Sequence, residues 1–252
     1  MHKEMHHVKR AVIMAAGLGK RLRPVTLSVP KPLVSVRGVR MIDTILAALR
    51  ENGIEEIYVV VGHLKEAFEE AAKEWPGVTL IENPWYEECN NISSLYVARD
   101  HLEDCMILDG DQIIRDARVL APSFAHSGYN ATWCEGETDE WLMQAEGEEL
   151  SVTSCSRNGG AHGWQLYSIS RWSAEDGKRL AALVKQEFEA GNRQIYWDDV
   201  PMFVHSEAFQ LAVYPMEAGS VVEIDNLAEL AALDSTYQIY DGGMVKNEKR
   251  GN

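Results

Sequence analysis

Residues 15–33 read Ala15-Ala16-Gly17-Leu18-Gly19-Lys20-Arg21-Leu22-Arg23-Pro24-Val25-Thr26-Leu27-Ser28-Val29-Pro30-Lys31-Pro32-Leu33. A short apolar run of β-compatible residues, Ala11 to Met14, stands before them. A run that gives way at once to small residues and glycine predicts a buried strand opening into a loop. Ala15, Ala16, Gly17 and Gly19 carry little or no side chain, so their backbone N–H groups can approach a phosphate or a base edge closely. Arg21 offers a planar fork for two phosphate oxygens and Lys31 a mobile point charge. These two are the candidate catalytic cations, with Lys20 among the nucleotide-binding residues. Pro24, Pro30 and Pro32 stiffen the segment and fix where the lysine points.

The charge pattern points the same way. From Met5 to Ile42 there is no Asp or Glu, while Lys9, Arg10, Lys20, Arg21, Arg23, Lys31, Arg37 and Arg40 all fall there, in a chain whose net charge is −15. Such segregation predicts one positive mouth on a negative body, drawing in a small polyanion and repelling nucleic acid and anionic membrane. Two familiar phosphate motifs are excluded. Residues 17–22 supply only the first two glycines of a dinucleotide fingerprint, with Leu22 at the third position, and no Gly-Lys-Ser/Thr follows four spacer residues as a P-loop requires.

With 252 residues and 46% hydrophobic content the chain can bury a large core. Beyond the loop, helix and strand signals alternate: a helix from Met41 to Asn52 capped by Gly53, a strand from Ile57 to Val61, a helix from Leu64 to Trp75 stopped by Pro76-Gly77, a strand from Val78 to Ile81, a helix from Ile92 to Leu102 and a strand from Cys105 to Leu108. That order implies parallel βαβ units: an α/β fold, a three-layer Rossmann-like mixed, mainly parallel sheet, with ligands beyond the strand carboxyl ends. From Tyr129 onward shorter strands dominate, near 131–133, 141–145, 150–155, 164–170 and 209–214, and form a smaller β-rich lobe on the acceptor side. Helices are expected from Ser173 to Ala190 and from Asn226 to Asp234. The organisation is a polar extension (1–10), one domain (11–235, with a nucleotide half 11–128 and an acceptor half 129–235) and a polar tail (236–252).

The N-terminus lacks the apolar core of a signal peptide, and no apolar run is long enough to span a bilayer, so no membrane insertion is expected. Cys89, Cys105, Cys134 and Cys155 show no paired spacing, which favours free thiols and a cytoplasmic location. His2, His6 and His7 could bind a metal, but terminal histidine clusters are more often incidental.

A triphosphate site needs a divalent cation, and magnesium prefers one or two carboxylates completed by phosphate oxygens and water. Asp109-Gly110-Asp111 puts two carboxylates where the strand Cys105–Leu108 ends, and Asp225 closes a second apolar run, Val221 to Ile224. Asp109 can equally be a turn residue, and Asp225 can equally cap the helix that follows. Of seven tryptophans, Trp133, Trp141, Trp164, Trp172 and Trp197 fall in the second half, several beside acids, as in Asp139-Glu140-Trp141 and Tyr196-Trp197-Asp198. An aromatic box flanked by acids suits an ammonium group.

Residues 15–33 closely resemble the signature of nucleotidyltransferases that join a nucleoside triphosphate to a phosphorylated acceptor. The likeness extends from Ala11 to about Leu233 through GHLKEAF, CNNISSLYVA, LDGDQ, TDEWL, IYWDDV and VVEIDNLAEL, in the order and spacing of bacterial choline-phosphate cytidylyltransferases. The resemblance implies CTP and phosphocholine as substrates, CDP-choline and pyrophosphate as products, and Mg2+ held by Asp111 and Asp225. It further implies Trp141 and Tyr196 around the choline with Asp198 close by, Asn91 and Ser94 near the cytidine, and leaves a homo-oligomer open. The same architecture also serves aminoalkylphosphonate and sugar-phosphate acceptors, and a non-catalytic nucleotide sensor is the remaining alternative.

Overall fold

The computed structural model describes residues 5–240. The polar tail from Asp241 onward and His2 lie outside the described residues.

Four strands of the first half, β1 (Arg10–Met14), β2 (Glu56–Val61), β3 (Val78–Glu82) and β4 (Cys105–Asp109), pair in parallel in the order β3-β2-β1-β4. The chain winds outward from β1 in one direction and then crosses to β4, so the order reverses between β1 and β4. Their carboxyl ends are neighbours there, with Met14 in register with Asp109. A reversal of this kind leaves a crevice that neither crossover helix fills, which is where open α/β sheets bind ligands.

Alternation along these strands builds the three layers. Ala11 and Ile13 of β1 and Met106 and Leu108 of β4 face the core under α1 (Met41–Glu51), while Val12, Met14, Cys105 and Ile107 face the core under α3 (Ile92–Ala98) and α4 (Ala174–Glu189). Both faces are covered, so the strands read as continuous apolar runs. Helix α1 ends as expected: Gly53, at φ 74°, donates to the Arg50 carbonyl and Ile54 donates to Leu49, the paired bonds of a left-handed glycine cap. The helix between β2 and β3, α2 (Lys65–Ala71), is shorter than the expected span; its last turn, like that of α3, tightens into a 3-10 turn.

A pairing that periodicity did not reveal lies just past β4. Strand β5 (Gln112–Ile114) runs antiparallel to β11 (Val221–Glu223), bringing the ends of both beside the crevice. The later strands β6 (Gly128–Cys134), β7 (Leu142–Glu146), β8 (Ser151–Ser156), β9 (Gly163–Trp172) and β10 (Ala212–Pro215) extend the same sheet from β4, through antiparallel contacts except for the parallel pair β6–β10. Long β9 carries β6 along one edge and β4 then β7 along the other. A third, smaller core packs Leu22, Val34 and Met41 against Ile224 and the helix α5 (Leu227–Leu233). It fastens the glycine loop to the end of the chain.

The N-terminal extension is tied down where it is described. His6 and His7 pair in register with Phe124 and Ser123, and Val8 is buried. No group of three or more His, Cys, Asp or Glu side chains disposed to hold a metal ion occurs among the described residues. No helix there is long and apolar enough to cross a membrane.

Gly177, inside α4, packs so closely on the neighbouring turn that an added Cβ would lie 1.9 Å from the Leu102 carbonyl oxygen. Helix propensity alone favours Gly177→Ala by about 1 kcal/mol; the enforced overlap reverses the sign. Gly177→Ala is expected to destabilise the protein by roughly 1–3 kcal/mol in urea unfolding.

Candidate active site

Two adjoining cavities open at the crevice. The first, of about 420 Å³, is lined by residues 14–22, Lys31, Pro32, Asn91, Ser94, Asp109, Asp111 and Asp225. The second, of about 320 Å³, is lined by Arg21, Asn91, Asp109, Asp111, Glu140, Trp141, Leu166, Ser168, Tyr196, Asp198, Glu223 and Asp225. Every site residue expected from the sequence thus lines one cavity or the other, and Arg21, Asn91, Asp109, Asp111 and Asp225 line both.

The loop owes its shape to short local contacts. Gly19 adopts φ 58°, and a Cβ there would lie 2.8 Å from Thr26 Cγ2; both the left-handed backbone and the close approach require glycine. Thr26 Oγ1 donates to the Gly19 carbonyl at 2.7 Å, and a His63 ring nitrogen lies 2.9 Å from the Thr26 carbonyl oxygen. Leu22, fully buried against the C-terminal core, turns its neighbour Arg21 toward Asp225, where Arg21 Nη2 reaches Oδ1 at 2.7 Å. Lys31 is only 8% exposed, and its ammonium sits 2.5 Å from Asp111 Oδ2 and 3.7 Å from Asp225 Oδ1.

Asp225 is not the helix cap. Asn226 caps α5, accepting the Glu229 N–H, which leaves the Asp225 carboxylate to the cations. Asp111 and Asp225 are therefore a pair of hard oxygen donors with a cation already between them. Such a pair fits a magnesium ion whose remaining positions go to phosphate and water. Asp109 has a different character: burial, then the nearby carboxylates of Asp111 and Asp198, hold its pKa well above the usual carboxylate range.

The expected positive mouth needs correcting. Lys9 pairs with Asp104, Arg10 with Glu56, and Arg40 with Asp43 and Glu74, while the Arg37 guanidinium donates to the Leu233 carbonyl and its backbone N–H to Asp234. Of the acid-free segment, only Lys20, Arg21 and Lys31 reach the first cavity. The second cavity is acidic, with Asp109, Asp111, Glu140, Asp198, Glu223 and Asp225 against the single cation Arg21. Burial pushes Glu223 up to about 8 and Asp198 up to about 7. Asp198 and the Tyr129 hydroxyl are buried side by side, and contact with that hydroxyl offsets part of the burial penalty on the carboxyl.

Only two of the second-half aromatics face this cavity. Trp141 and Tyr196 stand nearly perpendicular, at 86° with ring centroids 5.9 Å apart. Trp172 and Trp197 are fully buried in the core, and Trp133 packs edge-on against Trp164 away from the cleft. Asn91 accepts the Trp197 N–H at 2.8 Å, while Ser94 is held by the buried Asn83, whose amide also donates to Ser93. Asn83, Glu140, Ser168 and Glu223 were not singled out in the sequence. Glu223 had a readable signal, because it precedes Asp225 by one strand repeat and therefore shares its face.

The nucleotidyl transferase family model matches residues 10–132. A 2-aminoethylphosphonate cytidylyltransferase of Lancefieldella rimae is 40% identical over 230 residues, 90% of this chain and 92% of that one. A choline-phosphate cytidylyltransferase of Streptococcus pneumoniae is 32% identical, covering 89% and 96%. Among solved structures, a CTP:phosphocholine cytidylyltransferase from Streptococcus pneumoniae superposes with a TM-score of 0.81 at 29% identity, over 91% of this chain and 99% of that one. The inositol-1-phosphate CTP transferase of T. maritima, at 19% identity, shares the fold with a TM-score of 0.74. The chain belongs to the nucleotidyl transferase family, and within it to the cytidylyltransferases.

Asp198 also makes a stability prediction. The folded protein keeps the Asp198 proton up to about pH 7, whereas the unfolded chain releases it near the usual aspartate value of 3.8. The folded state binds the extra proton between those values, so stability falls as pH rises through that window. Asp198→Asn is expected to raise stability near pH 8 by roughly 2–4 kcal/mol and to change it little near pH 4. Thermal melts at the two pH values check this.

Proposed function

We propose that this protein transfers the cytidylyl group of CTP to a small phosphonate or phosphate that carries an ammonium at its other end, releasing pyrophosphate, and that 2-aminoethylphosphonate is the acceptor its pocket fits best. The carrying observation is the acidic second cavity, six carboxyls against the single cation Arg21, with Asp198 buried among them. A primary ammonium has three N–H donors for such oxygens, whereas a trimethylammonium has none. The 40% relative, itself a 2-aminoethylphosphonate enzyme, supports the same choice. Phosphocholine is the second reading, favoured by the perpendicular faces of Trp141 and Tyr196.

In the reaction an ionised acceptor oxygen attacks the α-phosphorus in line. A new P–O bond forms as the bond to the β-phosphate oxygen breaks, and the electron pair leaves with pyrophosphate. The acceptor is already an anion, so no general base and no covalent enzyme intermediate are needed. Backbone N–H groups of residues 15–19 hold the triphosphate, while Asn91 and Ser94 border the nucleoside. Arg21 and Lys31, which face Asp225 and Asp111, turn to phosphate oxygens when a polyanion enters. Asp111 and Asp225 would hold Mg2+, which when bound adds neutralisation of phosphate charge. Free thiols agree with a cytoplasmic enzyme.

A pyrophosphate-release panel of CTP, UTP, GTP and dTTP against 2-aminoethylphosphonate, phosphocholine and glucose 1-phosphate tests the reading. CTP with 2-aminoethylphosphonate is expected to give the highest kcat/KM, and a preference for glucose 1-phosphate would overturn it. Lys31→Ala is expected to lower kcat/KM about a hundredfold, the effect of losing one charged donor to the transition state.

A further inference from the structure

We infer that Arg157 is a positioning residue for the acceptor pocket: with the turn 157–160 it fixes both aromatic walls, Trp141 and Tyr196, and so sets the affinity for the ammonium head group. The inference rests on the ammonium-acceptor reading above. Arg157 lines neither cavity, so any effect it has on the acceptor passes through other side chains.

Toward Tyr196 the connection is ionic. Arg157 Nη2 and Nε lie 2.6 and 2.7 Å from Asp199 Oδ1, and the other Asp199 oxygen accepts the Tyr196 N–H at 2.8 Å. Tyr196 is 49% exposed and gains little from packing, so this backbone anchor is a principal restraint on it. Toward Trp141 the connection is through rings. The guanidinium carbon sits 3.6 Å from the Phe203 centroid, Phe203 meets Trp141 edge-on at 5.3 Å, and the guanidinium lies 6.0 Å from the Trp141 ring itself. The same turn holds the approach to Trp141 by its backbone. Gly160 and Thr138 exchange two hydrogen bonds of 2.9 Å, and Gly159, at φ 67°, lies so close that an added Cβ would stand 1.7 Å from the Thr138 carbonyl oxygen.

One guanidinium and one tight turn thus hold two walls contributed by separate parts of the chain. Without the guanidinium, the Asp199 carboxylate, only 4% exposed, would stand uncompensated beside Asp198, and a buried charge in that position drives local rearrangement. A ring contributes to cation recognition only when its face lies within about 6 Å of the charge, so a small shift of either wall weakens the acceptor and leaves the nucleotide untouched.

The test is steady-state kinetics of Arg157→Gln, Arg157→Lys and Gly159→Ala with CTP and 2-aminoethylphosphonate. Arg157→Gln is expected to raise KM for the acceptor roughly tenfold, with KM for CTP and kcat within about twofold of the parent. Arg157→Lys restores the charge opposite Asp199 but not the flat stacking on Phe203, and should fall between the two. Gly159→Ala displaces the Trp141 approach while leaving Arg157 in place, and should reproduce the acceptor-selective rise. Equal rises for CTP and acceptor, a fall confined to kcat, or an unchanged acceptor KM would overturn the inference while leaving the acceptor reading intact. A parent enzyme that releases pyrophosphate from CTP with neither 2-aminoethylphosphonate nor phosphocholine would overturn the acceptor reading, and this inference with it.

Discussion

The Lys31 side chain is almost entirely withdrawn from water, with Asp111 and Asp225 standing against its ammonium. A buried unpaired cation would cost several kcal/mol, so the three side chains must arrive together. They come from the glycine loop, from the turn after β4 and from the end of β11, segments separated by much of the chain. The core around Leu22 and Ile224 brings the first and last into contact, and the β5–β11 pairing aligns the last with the second. The arrangement holds charge in place ahead of a polyanion: the cations already face the crevice, and incoming phosphate exchanges one set of oxygens for another.

Beyond that point the cleft changes sign. Its loop side presents N–H groups and cations, while its far side collects carboxyls whose protons are retained by burial, Glu223 and Asp198 among them. Buried acids work against folding, and their gathering in a single concavity is the pattern of a functional site rather than of a stabilising one. An ammonium entering there would be met by oxygens that give up protons or neighbours to receive it. On the reading proposed above, the two poles of such an acceptor, anionic at one end and cationic at the other, would match the two poles of the cleft in order.

Much of the nucleotide half was legible because its signals are local. The run 11–14, the glycines that follow, the cap at Gly53 and the period of α1 each follow from near neighbours in sequence, and each stands where expected. The acids of the site were partly legible, since Asp111 and Asp225 end apolar runs. Whether Asp225 caps a helix was undecidable from spacing; Asn226 takes that role by turning its side chain back onto Glu229. The charge pattern misled for a physical reason. Lys9, Arg37 and Arg40 are close to the loop in sequence, but Lys9, just before β1, meets Asp104, Arg40, at the start of α1, meets Asp43, and the Arg37 guanidinium is taken by the Leu233 carbonyl. Tryptophan number misled similarly: Trp172 and Trp197 fill the core, and only direction, which composition does not encode, separates them from Trp141.

The shared wall between the cavities ties these features to chemistry. Asn91 lines both, and its side-chain amide oxygen accepts the backbone N–H of Trp197, between Tyr196 and Asp198, so the two cavities are fastened to the same side chain. Arg21, Asp109, Asp111 and Asp225 complete that boundary. Two substrates bound on either side of it, as proposed above, would meet there, beside the cations Arg21 and Lys31. For a reaction between two anions this matters more than any acid or base, because like charge keeps the partners apart in water and positioning with neutralisation removes that barrier. A rigid boundary carrying both signs of charge performs both tasks with side chains that do not themselves react.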